Sequence, residues 1–163
     1  MKSRQKRRRI SLPKVSANAG SGWLVAAGWM SVIASLLHVA CIFGGPDWYR
    51  FFGAGEQIAV AAEQGRWMPA VVTSFITAIL AGWAVYAFSA AGRILRMPLV
   101  RTALISIAAV LLVRSALAFV PAAWPPENYT FAFVFWTSLV CFIMGCCFAI
   151  GTWRAWPALS RRV

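Results

Sequence analysis

Apolar residues do not alternate with polar ones along this chain. They run together in four blocks, over about residues 22–43, 68–91, 99–120 and 131–153. Each block holds about 20 or more mostly apolar residues, the length at which an α-helix crosses a hydrocarbon core of about 30 Å. Backbone polar groups inside lipid must satisfy one another within the segment, so the blocks are predicted as transmembrane helices and not as strands. The fold class that follows is all-α, an integral membrane four-helix bundle over residues 22–156. A basic cytoplasmic tail precedes it at 1–21 and a short one follows at 157–163.

The segments between the blocks refine this picture. Gly44, Gly45 and Pro46 are predicted to stop the first helix, because glycine accepts unusual backbone angles and proline cannot continue a helix. The loop Gly44–Trp67 then carries its own short helix at about Gly55–Gln64. On a helical wheel Glu56, Glu63, Gln57 and Gln64 share one side, and Ile58, Ala59 and Ala62 the other, so this amphipathic helix lies on the lipid or caps the bundle. Small residues recur every fourth position as Ala27, Ser31 and Ser35, as Ser74, Ala78 and Gly82, and as Cys141, Gly145 and Ala149. That spacing lets helix backbones approach closely.

Composition supports the same class. Of 163 residues, 61% are hydrophobic and 12% charged, against about 45–50% and about 25% in soluble domains. The mean hydropathy is +0.70, and one membrane domain follows. The apolar run behind the basic tail exceeds a signal-peptide core and no small-residue cleavage site follows it, so it is read as an anchor that stays in the membrane.

Charge sets the expected topology. The net charge is +12, with basic residues at the N-terminus, at Arg93, Arg96 and Arg101, and at Arg154, Arg161 and Arg162. Asp47, Glu56, Glu63 and Glu127 are the only acids, and all lie in the other two connections. Hydrophobic runs separate the basic clusters, which argues for topology and anionic lipid as their role and against nucleic acid. Both termini and the loop Gly92–Pro98 are therefore expected in the cytoplasm, with Gly44–Trp67 and Pro121–Thr130 outside. Trp23, Trp48, Trp67, Trp124, Trp153 and Trp156 fall near the expected interfaces, as an aromatic belt does.

Candidate chemistry is sparse. Arg114 sits inside the third block, where a charge costs at least about 2.5–3.5 kcal/mol on insertion scales and usually faces a bundle interior. Helical side chains lean toward the helix N-terminus, which here turns Arg114 away from the nearer surface and toward a protein partner. No acid lies in any block. The expected cluster is His38, Arg114 and Glu56, which requires the first outer loop to fold down. His38 and Cys41 share a helix face, but one histidine and one thiol do not complete a metal or haem site, so no metal and no cofactor is expected. Cys41, Cys141, Cys146 and Cys147 form no zinc spacing and read as buried small hydrophobes. Gly53-Ala54-Gly55 lacks the context of a phosphate loop.

The segment LHVACIFGGPDWYRFFGAGEQIAVAAEQGRWMP, Leu37–Pro69, resembles the signature of an uncharacterised family of small four-span inner-membrane proteins of Gram-negative bacteria. The resemblance implies a multi-pass inner-membrane location and no assigned activity. The residues themselves support a binding role at the outer face, for a membrane-protein partner or a small amphipathic ligand. His38, Tyr49, Arg50, Glu56 and Arg114 are the candidate site, with Arg114 meeting an anionic or carbonyl group and Glu56 balancing it. The alternatives are a membrane enzyme or redox accessory acting on a lipid or quinone, and a small proton-coupled carrier. The carrier lacks an intramembrane acid to relay protons.

Overall fold

A computed structural model describes residues 19–120 and 131–160. The basic tail up to residue 18, the second outer connection with Trp124 and Glu127, and the final three residues lie outside the described residues. All regular structure among the described residues is helical: α1 (Ser21–Phe51), α2 (Glu56–Glu63), α3 (Met68–Ala90), α4 (Val100–Ala116) and α5 (Phe131–Ser160), with a 3-10 turn at Leu117–Phe119 after α4.

The four long segments are α1, α3, α4 with its 3-10 turn (Val100–Phe119) and α5, and each is long and apolar enough to cross a membrane. Their apolar windows are only 28, 22, 28 and 33% buried within the protein. Trp29, Ile33, Leu36, Phe75, Val110, Val113 and Phe142 all face outward. A water-soluble surface rarely presents apolar patches of that extent, whereas lipid accepts them at no cost. This is a multi-pass membrane protein.

Two helix pairs build the bundle. α1 lies along α3, α4 lies along α5, and α1 also packs on α5, which joins the pairs. Glycine makes these approaches close. A Cβ on Gly28 would stand 2.8 Å from the Phe88 ring, and one on Gly145 would stand 2.9 Å from Leu112. The core between the pairs holds Leu24, Ala27, Leu104, Ile107, Met144 and Phe148. Two buried serines bond locally or across the seam: Ser31 donates to the Ala27 carbonyl at 2.9 Å, and Ser35 to the Thr77 carbonyl of α3 at 3.1 Å.

The stripe Ala27, Ser31 and Ser35 does face the core, and Gly145 does face α4. The stripe Ser74, Ala78 and Gly82 does not. Ser74 and Ala78 are exposed, and a Cβ on Gly82 would meet nothing. Instead Thr73, Leu80, Ala84 and Ala87 turn inward. Small residues permit close packing on whichever side carries them; they do not dictate which side packs.

Two boundaries also differ from expectation. The chain breaks at Gly45 (φ 67°, ψ −152°), but it resumes helix at once and continues to Phe51. Pro46 explains the restart: its missing N–H and fixed φ suit the first helical position. The fourth long helix runs past Trp153 to Ser160, with Pro157 inside it.

The two ends of the bundle differ in charge. Gly20 abuts Gly151 and Ala155, Arg96 donates to the Leu159 carbonyl at 2.7 Å, and Arg101 bonds Ser160. The start of α1, the α3–α4 connection and the end of α5 thus share one basic end. Asp47, Glu56 and Glu63 sit at the other end with α2.

Candidate functional site

The acidic end is built around the turn from α1 to α2. After Phe51 the chain reverses in four residues. The Gly53 amide donates to the Arg50 carbonyl at 3.0 Å and the Ala54 amide to the Tyr49 carbonyl at 2.8 Å. Gly53 carries φ 69°, the left-handed conformation that such a helix stop uses. The Phe133 ring of α5 occupies the space a Gly53 side chain would need. The same glycine therefore allows both the turn and its contact with α5.

This reversal lays α2 back on α1. Ala59 is fully buried and packs with Tyr49 and Cys41, flanked by Ile58, Ala62 and Phe52. The apolar side foreseen for this helix caps the bundle, and its acidic side stays exposed. Glu56 and Glu63 are seven residues apart, so both carboxylates stand on that side.

Arg50, in the last turn of α1, reaches between them. Its Nε donates to both Glu56 oxygens at 3.2 and 3.1 Å, and its Nη2 to Glu56 Oε1 at 2.7 Å. Its Nη1 donates to Glu63 Oε1 at 2.6 Å, with Asp47 Oδ1 3.8 Å away. The hydrogen bonds from the guanidinium hold the Glu56 and Glu63 carboxyls below their ordinary range. The helix ends agree in sign: Glu56 lies in the first turn of α2 and Arg50 in the last turn of α1.

Beside this ion cluster lies a cleft of about 570 Å³. Arg50, Phe51, Phe52 and Glu56 form one wall, and Phe133, Trp136 and Thr137 of α5 the other. One wall offers charge and acceptors, and both offer aromatic faces. That combination suits an amphipathic molecule.

Of the five residues proposed from sequence, Arg50 and Glu56 line this cleft. Tyr49 lies behind it, 4% exposed, with a hydroxyl that has no hydrogen-bond partner among the described residues. His38 and Arg114 are elsewhere. The His38 Nδ1 is 2.8 Å from the Ala34 carbonyl, one turn back on its own helix. A carbonyl only accepts, so Nδ1 carries the proton. The Arg114 Nη1 donates to Ser138 Oγ at 3.4 Å and so links α4 to α5.

The expected cluster of His38, Arg114 and Glu56 is therefore replaced. Glu56 pairs with Arg50, its neighbour across a tight turn, because α2 folds onto the end of α1 and not into the bundle. Sequence reasoning also passed over Glu63 as a partner and missed Phe133, Trp136 and Thr137. The seven-residue spacing of the acids signalled the first. No local signal marks residues of α5 that arrive from far along the chain.

Among the described residues no group of three His, Cys, Asp or Glu side chains could hold an ion. All four cysteines are free. The chain matches no family model, no curated protein and no solved structure.

Proposed function

We propose that this multi-pass membrane protein binds a small amphipathic ligand in the cleft between the α1–α2 turn and the start of α5. The observation that carries this reading is the pairing of Arg50 and Glu56 at the edge of an aromatic cleft of about 570 Å³. The apolar body of the ligand lies against Phe51, Phe133 and Trp136. Its polar head meets the ion cluster.

The cluster also suggests the character of that head. Arg50 already donates to Glu56 and Glu63, while Asp47 adds a third carboxylate at 3.8 Å. Three acids around one guanidinium leave acceptors and negative charge in surplus. A head that donates hydrogen bonds or carries positive charge is thus favoured over an anionic one.

In this reading the basic end faces the cytoplasm of a bacterial inner membrane and the cleft opens outside. The positive-inside rule supports that orientation, since the start of α1, the loop with Arg93 and Arg96, and the end of α5 lie together. Equilibrium binding of two amphiphiles with the same alkyl chain tests the site. An alkyl-ammonium should bind more tightly than an alkyl-sulfate, Glu56→Gln with Glu63→Gln should abolish the difference, and Trp136→Ala should weaken both heads alike. Equal binding of both heads to the unaltered protein overturns the reading.

A further inference from the structure

We propose that the basic end of the bundle carries a site for the phosphate of an anionic phospholipid, formed by Arg96, Arg101 and Trp156. This site lies at the opposite end from the cleft and is independent of it.

The α3–α4 connection and the last turn of α5 converge there. Arg96 donates to the Leu159 carbonyl at 2.7 Å. Arg101 bonds the hydroxyl of the next residue, Ser160. Its guanidinium also stands 4.2 Å from the centre of the Trp156 ring. Two guanidiniums, one from the connection and one from the first turn of α4, are therefore fixed on adjacent residues of the same helix end. Fixed position matters, because planar guanidinium forks bind phosphate best when they are held in advance.

Capping the end of α5 explains part of this arrangement, since arginines often bind the last carbonyls of a helix. It does not explain the charge. Arg101 lies in the first turn of α4, which contains no acid, and a cation at a helix N-terminus is disfavoured. Asp47, Glu56 and Glu63 are all at the far end of the bundle. No described carboxylate pairs with Arg101. Beyond Ser160 and Trp156, Arg101 makes no further hydrogen bond or ion pair among the described residues.

The same connection is apolar between its arginines. Ile94, Leu95 and Leu99 are 47, 90 and 79% exposed. Side chains of that kind suit the acyl region just below a headgroup, with the guanidiniums reaching up to phosphate depth. Basic pockets between spans at the cytoplasmic surface are where anionic headgroups bind. A free phosphate offers the same oxygens but gains nothing from Ile94, Leu95 and Leu99.

Native mass spectrometry of the full chain in detergent tests the site, with phosphatidylglycerol and phosphatidylcholine of identical chains added as probes. The unaltered protein should retain one phosphatidylglycerol in preference to phosphatidylcholine. Removing two surface cations by Arg96→Gln with Arg101→Gln should lower that preference about thirtyfold. Arg154→Lys, at the same end but outside the site, keeps its charge and should leave the preference within about twofold. Arg101→Lys keeps the charge but loses the fork, and should lower the preference severalfold even if the double variant fails to fold. Inorganic phosphate in millimolar excess should not displace the lipid. The proposal is overturned by equal retention of both lipids, by equal losses in Arg101→Lys and Arg154→Lys, or by displacement with inorganic phosphate.

Discussion

Replacing Phe148 with alanine separates two ways in which this core can be held together. Phe148 is fully buried at the centre of the cluster with Leu104, Met144 and Leu24. In a water-soluble protein a Phe→Ala change at such a position costs about 3–5 kcal/mol. Of that, about 1.5–3 kcal/mol is the transfer of the ring out of water. In lipid the transfer part vanishes, because a separated helix exposes the ring to acyl chains as apolar as the core. What remains is the cavity and the lost packing, about 1.5–2 kcal/mol by difference. The assay is reversible unfolding in bicelles, by steric trapping, with helical content followed by circular dichroism. A loss of 3 kcal/mol or more would show that Phe148 leaves water on folding and would refute the membrane reference state. A loss under about 0.5 kcal/mol, the range of ordinary surface substitutions, would refute its place in the core.

Other expectations follow from single contacts. Gly145→Ala should cost about 1–3 kcal/mol by pushing α5 off Leu112, whereas Gly82→Ala should cost nothing, since its Cβ meets open space; the same bicelle assay reads both. Gly45→Ala should cost about 1–3 kcal/mol, because φ 67° with ψ −152° is a region essentially reserved for glycine. Glu56 and Glu63 have pKa values depressed below 4.5 by Arg50, so their contribution is complete above that value and is lost as pH falls through the lowered ones. Amide protection factors across residues 56–63 should therefore fall in acid, and the fall should be smaller in Arg50→Gln. A pH-independent protection pattern would contradict the ion cluster.

How much of this was visible in the sequence depended on the range of the interaction. The four spans follow from runs of apolar residues, and lipid leaves helices as the permitted form of each. The amphipathic α2 was legible because Glu56 and Glu63 mark one side and Ile58 and Ala62 the other within eight residues. Gly45 was legible as a break but not as a restart, since Pro46 both ends one helix and begins another.

Side selection within a span was harder. The stripes at Ser31 and at Ser74 look alike in sequence, yet only the first is buried. In lipid the outward face is as apolar as the inward one, so periodicity carries little information about sides. The ion cluster shows a related difficulty. Arg114 drew attention as the costliest charge by position, but Glu56 is reached first by Arg50, six residues before it across a turn. The aromatic wall from Phe133 and Trp136 depends on how α5 meets that turn, which no local pattern encodes.

The central claim is a four-span bundle whose acidic and basic ends lie on opposite sides of one membrane. Single cysteines at Gln57→Cys and Leu95→Cys, in a chain whose four native cysteines are alanine, test it most directly. A membrane-impermeant maleimide added to intact spheroplasts should label Gln57→Cys at once and Leu95→Cys only after permeabilisation. Labelling of both positions from the same side would contradict the account.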